Sequence, residues 1–369
     1  MSTYIIEPAA ENDNEALCAL CSIPMKGNIS LSFERFPNFF AGSAIQCEKA
    51  EVYVCRRKDD LKIYGVFSVG KRRVFYQNKV QEIRYFSDLR IHPEVQGARV
   101  LYQITRYITD HNLLEEGFAQ TIVFADNNLM LKLIGSLNQR AGKLSIFKYY
   151  PAGNYNSYMA KFYRFTVKDH WDVTVRNAEE NDVESMNEFI KSNGSTKNFF
   201  PFYDFSKLVS PYYKGLTIDK FYLAISNKEI VGIAGVWDQK AIKQTKVHGY
   251  SRLYKIVRPL VNLTAFITGG LKLPRPGTTL NYLTIHSIII KNNEPIILKK
   301  LLQTISNDFV KSGYDYFLTG FDEKDQLNEA LSIFKHKRTI KGKHFLVSNK
   351  EITDAETLSS PYYLETARI

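Results

Sequence analysis

Between Ser87 and Ile104 the sequence reads SDLRIHPEVQGARVLYQI. A strand-like segment is joined there to a helical one through a short loop that contains Gly97 and Ala98. The amides of such a loop and of the first helical turn point the same way, and the positive end of the helix dipole lies behind them. Small residues let the main chain approach a bound anion closely. The segment therefore predicts a turn that binds a diphosphate.

The elements that must position this loop are visible in the apolar pattern. A central strand is predicted at about Glu82 to Ile91, and a helix starts near Gly97. The apolar residues Val100, Leu101, Ile104 and Ile108 recur at helical spacing and predict its buried face. A strand at Thr121 to Ala125 and a helix that starts near Asn127 or Asn128 follow.

The chain repeats itself. AAEND at Ala9 to Asp13 is answered by AEEND at Ala178 to Asp182, at an offset of 169 residues. Each copy has the pattern of a helix start, Asn12 with Glu15 and Asn181 with Glu184, in which an Asn caps the first turn. Two strand-turn-strand segments match as well, namely 53–67 and 222–237. These matches in the same order predict a duplicated domain, with units 1–167 and 168–369.

The order of elements, with LRIHPEVQGARV at its centre, resembles the GNAT superfamily of acyl-CoA-dependent N-acetyltransferases. Leu89-Arg90-Ile91 matches the strand end of that family, and Gln96 matches the first position of its loop. The sequence departs from the family pattern at Arg99 and Leu101, where the family has small residues. The resemblance implies an α+β fold of two tandem GNAT-like domains, each a mixed, mainly antiparallel sheet flanked by helices.

The resemblance also implies acetyl-CoA as co-substrate, bound by the first half. The cofactor-binding residues that it implies are Leu89, Arg90, Ile91, Gln96, Gly97, Ala98, Arg99, Val100 and Asn127. Asn127 suits the cap of the following helix equally well. The second half has Asn292-Asn293-Glu294-Pro295 in place of the loop, and Glu294 would face any phosphate. We therefore expect no cofactor site in the second half.

Acetyl transfer to an amine requires the neutral amine, whose pKa is ordinarily about 10.4. A general base, or desolvation of the amine, has to supply part of the free energy of deprotonation. The family often places a Tyr in the helix after Asn127, but Ile134 and Gly135 stand there. Asp88, Tyr149 and Tyr150 are the remaining candidates. Each has a plainer interpretation, as a strand carboxylate facing solvent or as aromatic residues of core or surface.

The function predicted on these grounds is transfer of an acetyl group from acetyl-CoA to an amine, in a small molecule or a peptide. A non-catalytic acyl-CoA-binding or partner-binding protein on the same scaffold is the alternative. Transfer of aminoacyl or long acyl groups is a third possibility, because tandem copies of this fold also serve those reactions. The oligomeric state stays open at this point.

Composition limits the partners. The net charge is +11, with a pI of about 9.2, but the basic residues are spread along the chain and no nucleic-acid module is recognisable. Nucleic acid is therefore not an expected partner. Clusters with metal-ligand spacing are missing from the sequence, so no metal is expected. Cys18 and Cys21 fall in a helical pattern and are interpreted as packing residues in a reducing, cytoplasmic setting.

A membrane is not expected as a partner either. The most apolar tract, Leu260 to Leu273, is too short to span a bilayer and carries polar residues and two glycines. The N-terminal residues turn acidic early, so no signal segment is predicted there.

Overall fold

The computed structural model describes residues 3–25, 27–95, 98–115, 117–144, 146–166, 172–352 and 362–369. The strands in these residues are β1 (Tyr4–Pro8), β2 (Ile29–Glu34), β3 (Val52–Arg57), β4 (Ile63–Tyr76), β5 (Lys79–Ile91), β6 (Phe118–Phe124), β7 (Lys148–Ala160), β8 (Thr174–Asn177), β9 (Phe221–Ser226), β10 (Glu229–Trp237), β11 (Gln244–Tyr250), β12 (Tyr282–Ile290), β13 (Tyr316–Asp322) and β14 (Lys337–Ser348). The helices are α1 (Asn14–Cys21), α2 (Phe39–Ala44), α3 (Ala98–Asp110), α4 (Asn128–Leu144), α5 (Val183–Gly194), α6 (Arg252–Thr268) and α7 (Pro295–Phe309).

Twelve of these strands form one sheet, in the order β1-β3-β4-β5-β6-β14-β7-β13-β12-β10-β9-β8. Its pairs are antiparallel except for β5 with β6 and β12 with β13. When the strands are counted inward from the two edges, those at equal positions correspond between the halves, from β1 and β8 at the edges to β6 and β13 near the centre. The predicted fold class, two tandem α+β units with mainly antiparallel sheets, is confirmed.

The two halves exchange a strand at the centre of this sheet. β14, from the second half, lies between β6 and β7 and pairs with β6 from Gly342↔Phe124 to Ser348↔Phe118. β7, from the first half, pairs with β13 of the second half from Phe317↔Ala160 to Asp322↔Tyr155. The predicted boundary at residues 167 and 168 lies outside the described residues, and the sheet itself is continuous across the two units.

The repeated motif at the start of each half folds alike, but the predicted caps were wrong. A 3-10 turn spans Glu11–Asp13 and another spans Glu180–Asp182. In each turn the last Asp accepts a hydrogen bond from the main chain three residues earlier, Asp13 from Ala10 N at 2.9 Å and Asp182 from Glu179 N at 2.8 Å. The helix proper therefore starts later, and the acidic residue rather than the Asn satisfies the free amide.

Helices cover both faces of the sheet through the predicted apolar positions. Val100, Leu101, Ile104 and Ile108 of α3 are all buried in a cluster with residues of α4 and β6. In the second half, α7 buries Leu298, Leu301 and Ile305 in the same manner. Cys18 and Cys21 are free thiols buried in α1, as the packing interpretation predicted.

A separate two-stranded sheet also links the halves. β2 of the first half pairs with β11 of the second from Glu34↔Gln244 to Ile29↔Tyr250. The Gln244 amide strengthens the link, because it donates to Phe36 O at 2.8 Å and accepts from Phe36 N at 3.1 Å. This pairing was not predicted, and it holds the segment before α2 against the second half.

Candidate functional site

In the first half, the parallel strands β5 and β6 leave an opening between them. They pair only at Arg84↔Ala119 and Tyr85↔Gln120. The Thr121 hydroxyl then donates to Phe86 O at 3.0 Å. From Phe86 onward β5 changes from buried to half-exposed, because no strand covers that edge. A gap between two strands leaves main-chain hydrogen-bonding groups available to a ligand.

Two helix N-termini lie at the mouth of this opening. β5 and β6 run in parallel, so α3 and α4, which follow them, start at the same edge of the sheet. Asn127 caps α4, since its side-chain oxygen accepts a hydrogen bond from Met130 N at 3.1 Å. The positive ends of both helix dipoles therefore face one region, which favours an anion there. Gln96 and Gly97 lie outside the described residues.

The departure from the GNAT loop pattern has a simple structural reason. α3 begins at Ala98, so Arg99 and Leu101 are helical residues and not part of the loop. Leu101 is buried in the core next to Val100, whereas Arg99 is exposed and its Nη2 lies 3.4 Å from Thr3 Oγ1. A large side chain at either position requires no unusual backbone. The guanidinium of Arg99 adds a positive charge to the first turn of α3.

A bulge in β5 separates the residues that line the opening. Asp88 has a φ of 53°, and the pairing with β4 shifts register there. Leu89 and Ile91 pack with the cluster around α3 and α4. Asp88 and Arg90 point to the opposite face of the sheet, where β2 lies, since Asp88 contacts Arg35 and Arg90 lies over the ring of Phe33.

Asp88 forms a buried ion pair with Arg35. The Arg35 Nη2 to Asp88 Oδ1 distance is 2.8 Å, and the two side chains are only 6% and 7% exposed. The other carboxylate oxygen of Asp88, Oδ2, is buried and has no hydrogen-bond partner among the described residues. Gly42 of α2 makes the pair possible, because a Cβ there would overlap with the Arg35 side chain. The result is a carboxylate with one oxygen held and one oxygen unsatisfied.

The second half has the same bulge, but its opening is filled. Ser287 of β12 has a φ of 52°, and β12 leaves β13 after the pair Thr284↔Leu318. The segment 362–369 packs against both strands, and β12 is buried along almost its whole length. The Glu365 carboxylate is 1% exposed and accepts hydrogen bonds from Ser287 N at 2.9 Å and from two tyrosine hydroxyls. An anion therefore already occupies the main-chain donor of this bulge.

The comparisons with solved structures agree with this geometry. The N-myristoyltransferase of Saccharomyces cerevisiae, solved with bound myristoyl-CoA, superposes with a TM-score of 0.60 at 11% identity, over 95% of this chain and 84% of that one. A GCN5-related N-acetyltransferase from Sphaerobacter thermophilus gives 0.55 at 12% identity, over 97% and 99%. The chain has the GNAT fold.

A third structure, the GCN5-related glucosamine N-acetyltransferase region of a fungal multi-domain GH3 β-N-acetylglucosaminidase, gives a TM-score of 0.59 at 11% identity. It matches 94% of this chain, which spans 38% of the length of that protein. No protein-family model matches the sequence, and no curated protein sequence matches it. The likeness thus lies in the GNAT fold, at low sequence identity.

The GNAT fold keeps the three predicted catalytic candidates apart. Asp88 lies at the bulge, as described. Tyr149 is 6% exposed within the cluster around α3 and α4, and burial raises the pKa of its hydroxyl. Tyr150 donates to Lys350 O at 3.2 Å. Of the three candidates, Asp88 is the one that lies beside the opening, with its side chain on the face of the sheet that carries β2.

Sequence reasoning missed several residues of this face. Phe33 stacks on Phe124 at the end of β6, with ring centroids 5.8 Å apart. Lys243 donates to the main-chain oxygen of Ile369, and burial together with Arg35 holds the pKa of its amino group well below the usual value. Arg35 carried no motif in the sequence. Pairing of β2 with β11 brings these residues together, and no local sequence pattern predicts that pairing.

Among the described residues, no group of three or more His, Cys, Asp or Glu side chains is arranged to hold a metal ion. The helices in the described part of the chain are too short or too polar to cross a membrane.

Proposed function

We propose that the chain is an N-acyltransferase that moves an acetyl group from acetyl-CoA to an amine, with the donor bound in the first half. The observation that carries the proposal is the opening between β5 and β6, with two helix N-termini at its mouth. The low-identity neighbours add support, since one of them was solved with bound myristoyl-CoA. The filled opening in the second half leaves the first half as the donor site.

The diphosphate of CoA binds at the start of α3 in this proposal. Gln96, Gly97, Ala98, Arg99 and Val100 supply main-chain amides there, and the Arg99 guanidinium supplies a positive charge. Arg99 is exposed and its contact with Thr3 is long, so it can turn toward a phosphate with little loss of existing structure. Charge-assisted hydrogen bonds from Arg to phosphate are among the stronger ones in proteins.

The pantetheine arm follows the uncovered edge of β5. Its amides are suited to pair with the main chain of Leu89, Arg90 and Ile91, in the manner of an added strand. Asn127 lies across the opening at the end of β6, where its side chain is already engaged as a cap. We propose that the cap holds the α4 N-terminus in place beside the arm.

The thioester lies at the bulge. In the second half the N–H of Ser287 binds a carboxylate oxygen, so this bulge geometry can present a main-chain donor to a negatively charged oxygen. Asp88 has the same backbone conformation in the first half. We place the thioester carbonyl oxygen at the Asp88 N–H, where a donor stabilises the oxyanion that forms when the amine attacks.

The amine attacks the thioester at the bulge. Its nitrogen forms a bond with the carbonyl carbon, the carbon–sulfur bond breaks, and CoA leaves as the thiolate. The nitrogen loses one proton, for which the unsatisfied Oδ2 of Asp88 is the nearest proposed acceptor.

Packing around the bulge favours a short acyl group. The buried Arg35 side chain occupies the space next to Asp88, and the buried Cys21 of α1 lies near both. A long acyl chain would have to displace an ion pair from the interior. Acetyl needs no such displacement.

The test is turnover of the full chain with acetyl-CoA and a panel of small amines and peptides. We expect thiol release that depends on the amine, together with an acceptor heavier by one acetyl group in mass spectrometry. Faster turnover with myristoyl-CoA than with acetyl-CoA would show that the donor is a long-chain acyl-CoA and not acetyl-CoA. Binding of acetyl-CoA in calorimetry without turnover would favour the non-catalytic alternative, and no binding of either thioester would end the proposal.

A further inference from the structure

Helix α6 presents an exposed apolar stripe. Its members are Leu253, Ile256, Leu260, Leu263 and Ile267, which are 64%, 77%, 64%, 56% and 73% exposed. At 3.6 residues per turn these five fall within an arc of about 80° that runs the length of the helix. Phe266, which is 74% exposed, borders the stripe. Contiguous exposed apolar surface of this kind marks an interaction site.

The opposite side of α6 is firmly attached to the protein. Tyr254 and Val261 pack on the cluster formed by the β2–β11 sheet and Leu273. Asn262 exchanges two hydrogen bonds with the main chain of Leu273, at 2.7 and 3.0 Å. Gly269, with a φ of 73°, ends the helix. Because the inner face of α6 packs on the protein, the stripe faces outward. These contacts also hold the helix rigidly in place.

The surroundings of the stripe are cationic. Between Asp238 and Glu294 the sequence has nine Lys and Arg residues and no Asp or Glu. Arg252 and Lys255 are exposed on the side of the helix where Phe266 lies. Lys272 extends that edge, with its Nζ 5.5 Å from the centroid of the Phe266 ring. A helix with an apolar face, a cationic edge and no acidic residue has the pattern of a segment that lies in the interface of an anionic membrane.

We infer that α6 docks the protein on an anionic lipid surface, with the helix axis in the plane of the membrane and the stripe among the upper acyl chains. The sequence argument against a membrane concerned a spanning segment, and α6, about 25 Å long, lies flat instead. A second copy of the chain is disfavoured as the occupant, because it would bring two cationic edges together. Charge complementarity selects the lipid, and this inference does not depend on the proposed enzymatic activity.

The experiment is sedimentation of the full chain with vesicles of phosphatidylcholine mixed with phosphatidylserine, compared with phosphatidylcholine alone. We expect binding to the mixed vesicles, and weakening of that binding as salt is raised. The double variant Ile256→Ser, Ile267→Ser should bind at least tenfold more weakly. The double variant Val209→Ser, Leu129→Ser is the matched control, since these residues are 98% and 59% exposed on other surfaces, and it should bind like the parent.

A charge variant separates the electrostatic contribution to lipid binding from the hydrophobic one. Lys255→Gln should weaken binding to the mixed vesicles about fivefold, since one basic residue near the surface is removed. Equal binding to both vesicle types, unchanged binding of the Ile256→Ser, Ile267→Ser variant, or no binding at low salt would each overturn the inference. A dimer in light scattering without lipid, converted to a monomer by that variant, would assign the stripe to a second copy and would overturn it as well.

Discussion

Asp88 and Ser287 occupy the same bulge in the two halves of the sheet, with φ angles of 53° and 52°. Their surroundings have diverged. Asp88 is paired with Arg35 at the edge of an open gap, whereas the Ser287 N–H is bound by the carboxylate of Glu365 in a filled one. One duplicated backbone geometry thus adjoins an uncovered strand edge in one half and a packed interior in the other.

The Asp88–Arg35 pair should be important for stability. Asp88→Ala leaves a buried guanidinium without its carboxylate, so we expect the free energy of unfolding to fall by about 3–5 kcal/mol in urea denaturation. Asp110→Ala is the control, because it breaks the half-exposed Arg106–Asp110 pair and should change stability by less than about 1 kcal/mol. A similar small loss for Asp88→Ala would show that the pair is solvated. The double variant Arg35→Met, Asp88→Leu should recover part of the loss.

Arg99 tests the proposed diphosphate site without disturbing the core. Because Arg99 is exposed in the first turn of α3, Arg99→Ala should weaken acetyl-CoA binding about tenfold in calorimetry and leave the unfolding midpoint unchanged. Arg106→Ala, on the same helix but two turns further along, should bind acetyl-CoA like the parent. If both variants bind equally, the diphosphate does not lie at the α3 N-terminus.

Two helical glycines should respond to alanine in opposite ways. Gly135 of α4 has open space where a Cβ would be, so Gly135→Ala should stabilise the protein by about 0.5–1 kcal/mol. Gly42 of α2 lies against the buried Arg35 side chain, so Gly42→Ala should destabilise by about 1–3 kcal/mol. Thermal unfolding of the two variants checks both signs. Stabilisation by Gly42→Ala would mean that Arg35 moves aside readily.

Buried histidines should make the protein sensitive to mild acid. Burial, with a contribution from Arg72, lowers the pKa of His344 to about 3, and burial with Arg368 nearby lowers that of His286 well below its usual value. Between pH 6.5 and 4.5 the unfolded chain takes up these protons and the folded chain does not. Stability therefore falls as pH falls, by about 1.4 kcal/mol per pH unit for each histidine.

The variant His344→Leu isolates one of these contributions. In urea denaturation across pH 6.5 to 4.5, its stability should decline less steeply than that of the parent, by the equivalent of one proton. Between pH 7 and 8 the two slopes should coincide, since His344 is neutral in both the folded and the unfolded chain there. Equal slopes in the acid range would show that His344 is protonated in the folded protein.

Local sequence patterns predicted much of the fold. The strand-turn-strand segments 53–67 and 222–237 form β3–β4 and β9–β10, and the apolar spacing of Val100, Ile104 and Ile108 placed α3 correctly. These features depend on periodicity and turns, which neighbouring residues determine. The helix starts were misassigned by one residue, because Asp13 and Asp182, next to the predicted asparagines, take the cap positions.

Long-range pairings were beyond the reach of that reasoning. β14 pairs with β6, which lies more than 200 residues earlier in the chain. Pairing with the nearby β13 would fit the same alternation of side chains, so the local pattern could not decide between the two. The contact of Arg35 with Asp88 likewise depends on the β2–β11 pairing. The sequence located the strand and the helix of the candidate site, but the residues opposite them came from the three-dimensional structure.

The exchange of β7 and β14 has a consequence for biosynthesis. β6 acquires its neighbour only when residues 337–348 have emerged from the ribosome, so the first half remains with an uncovered sheet edge through most of translation. Separately expressed halves would each carry a strand that belongs to the other. Both the nascent chain and such fragments should therefore depend on chaperones until the complementary segment is available.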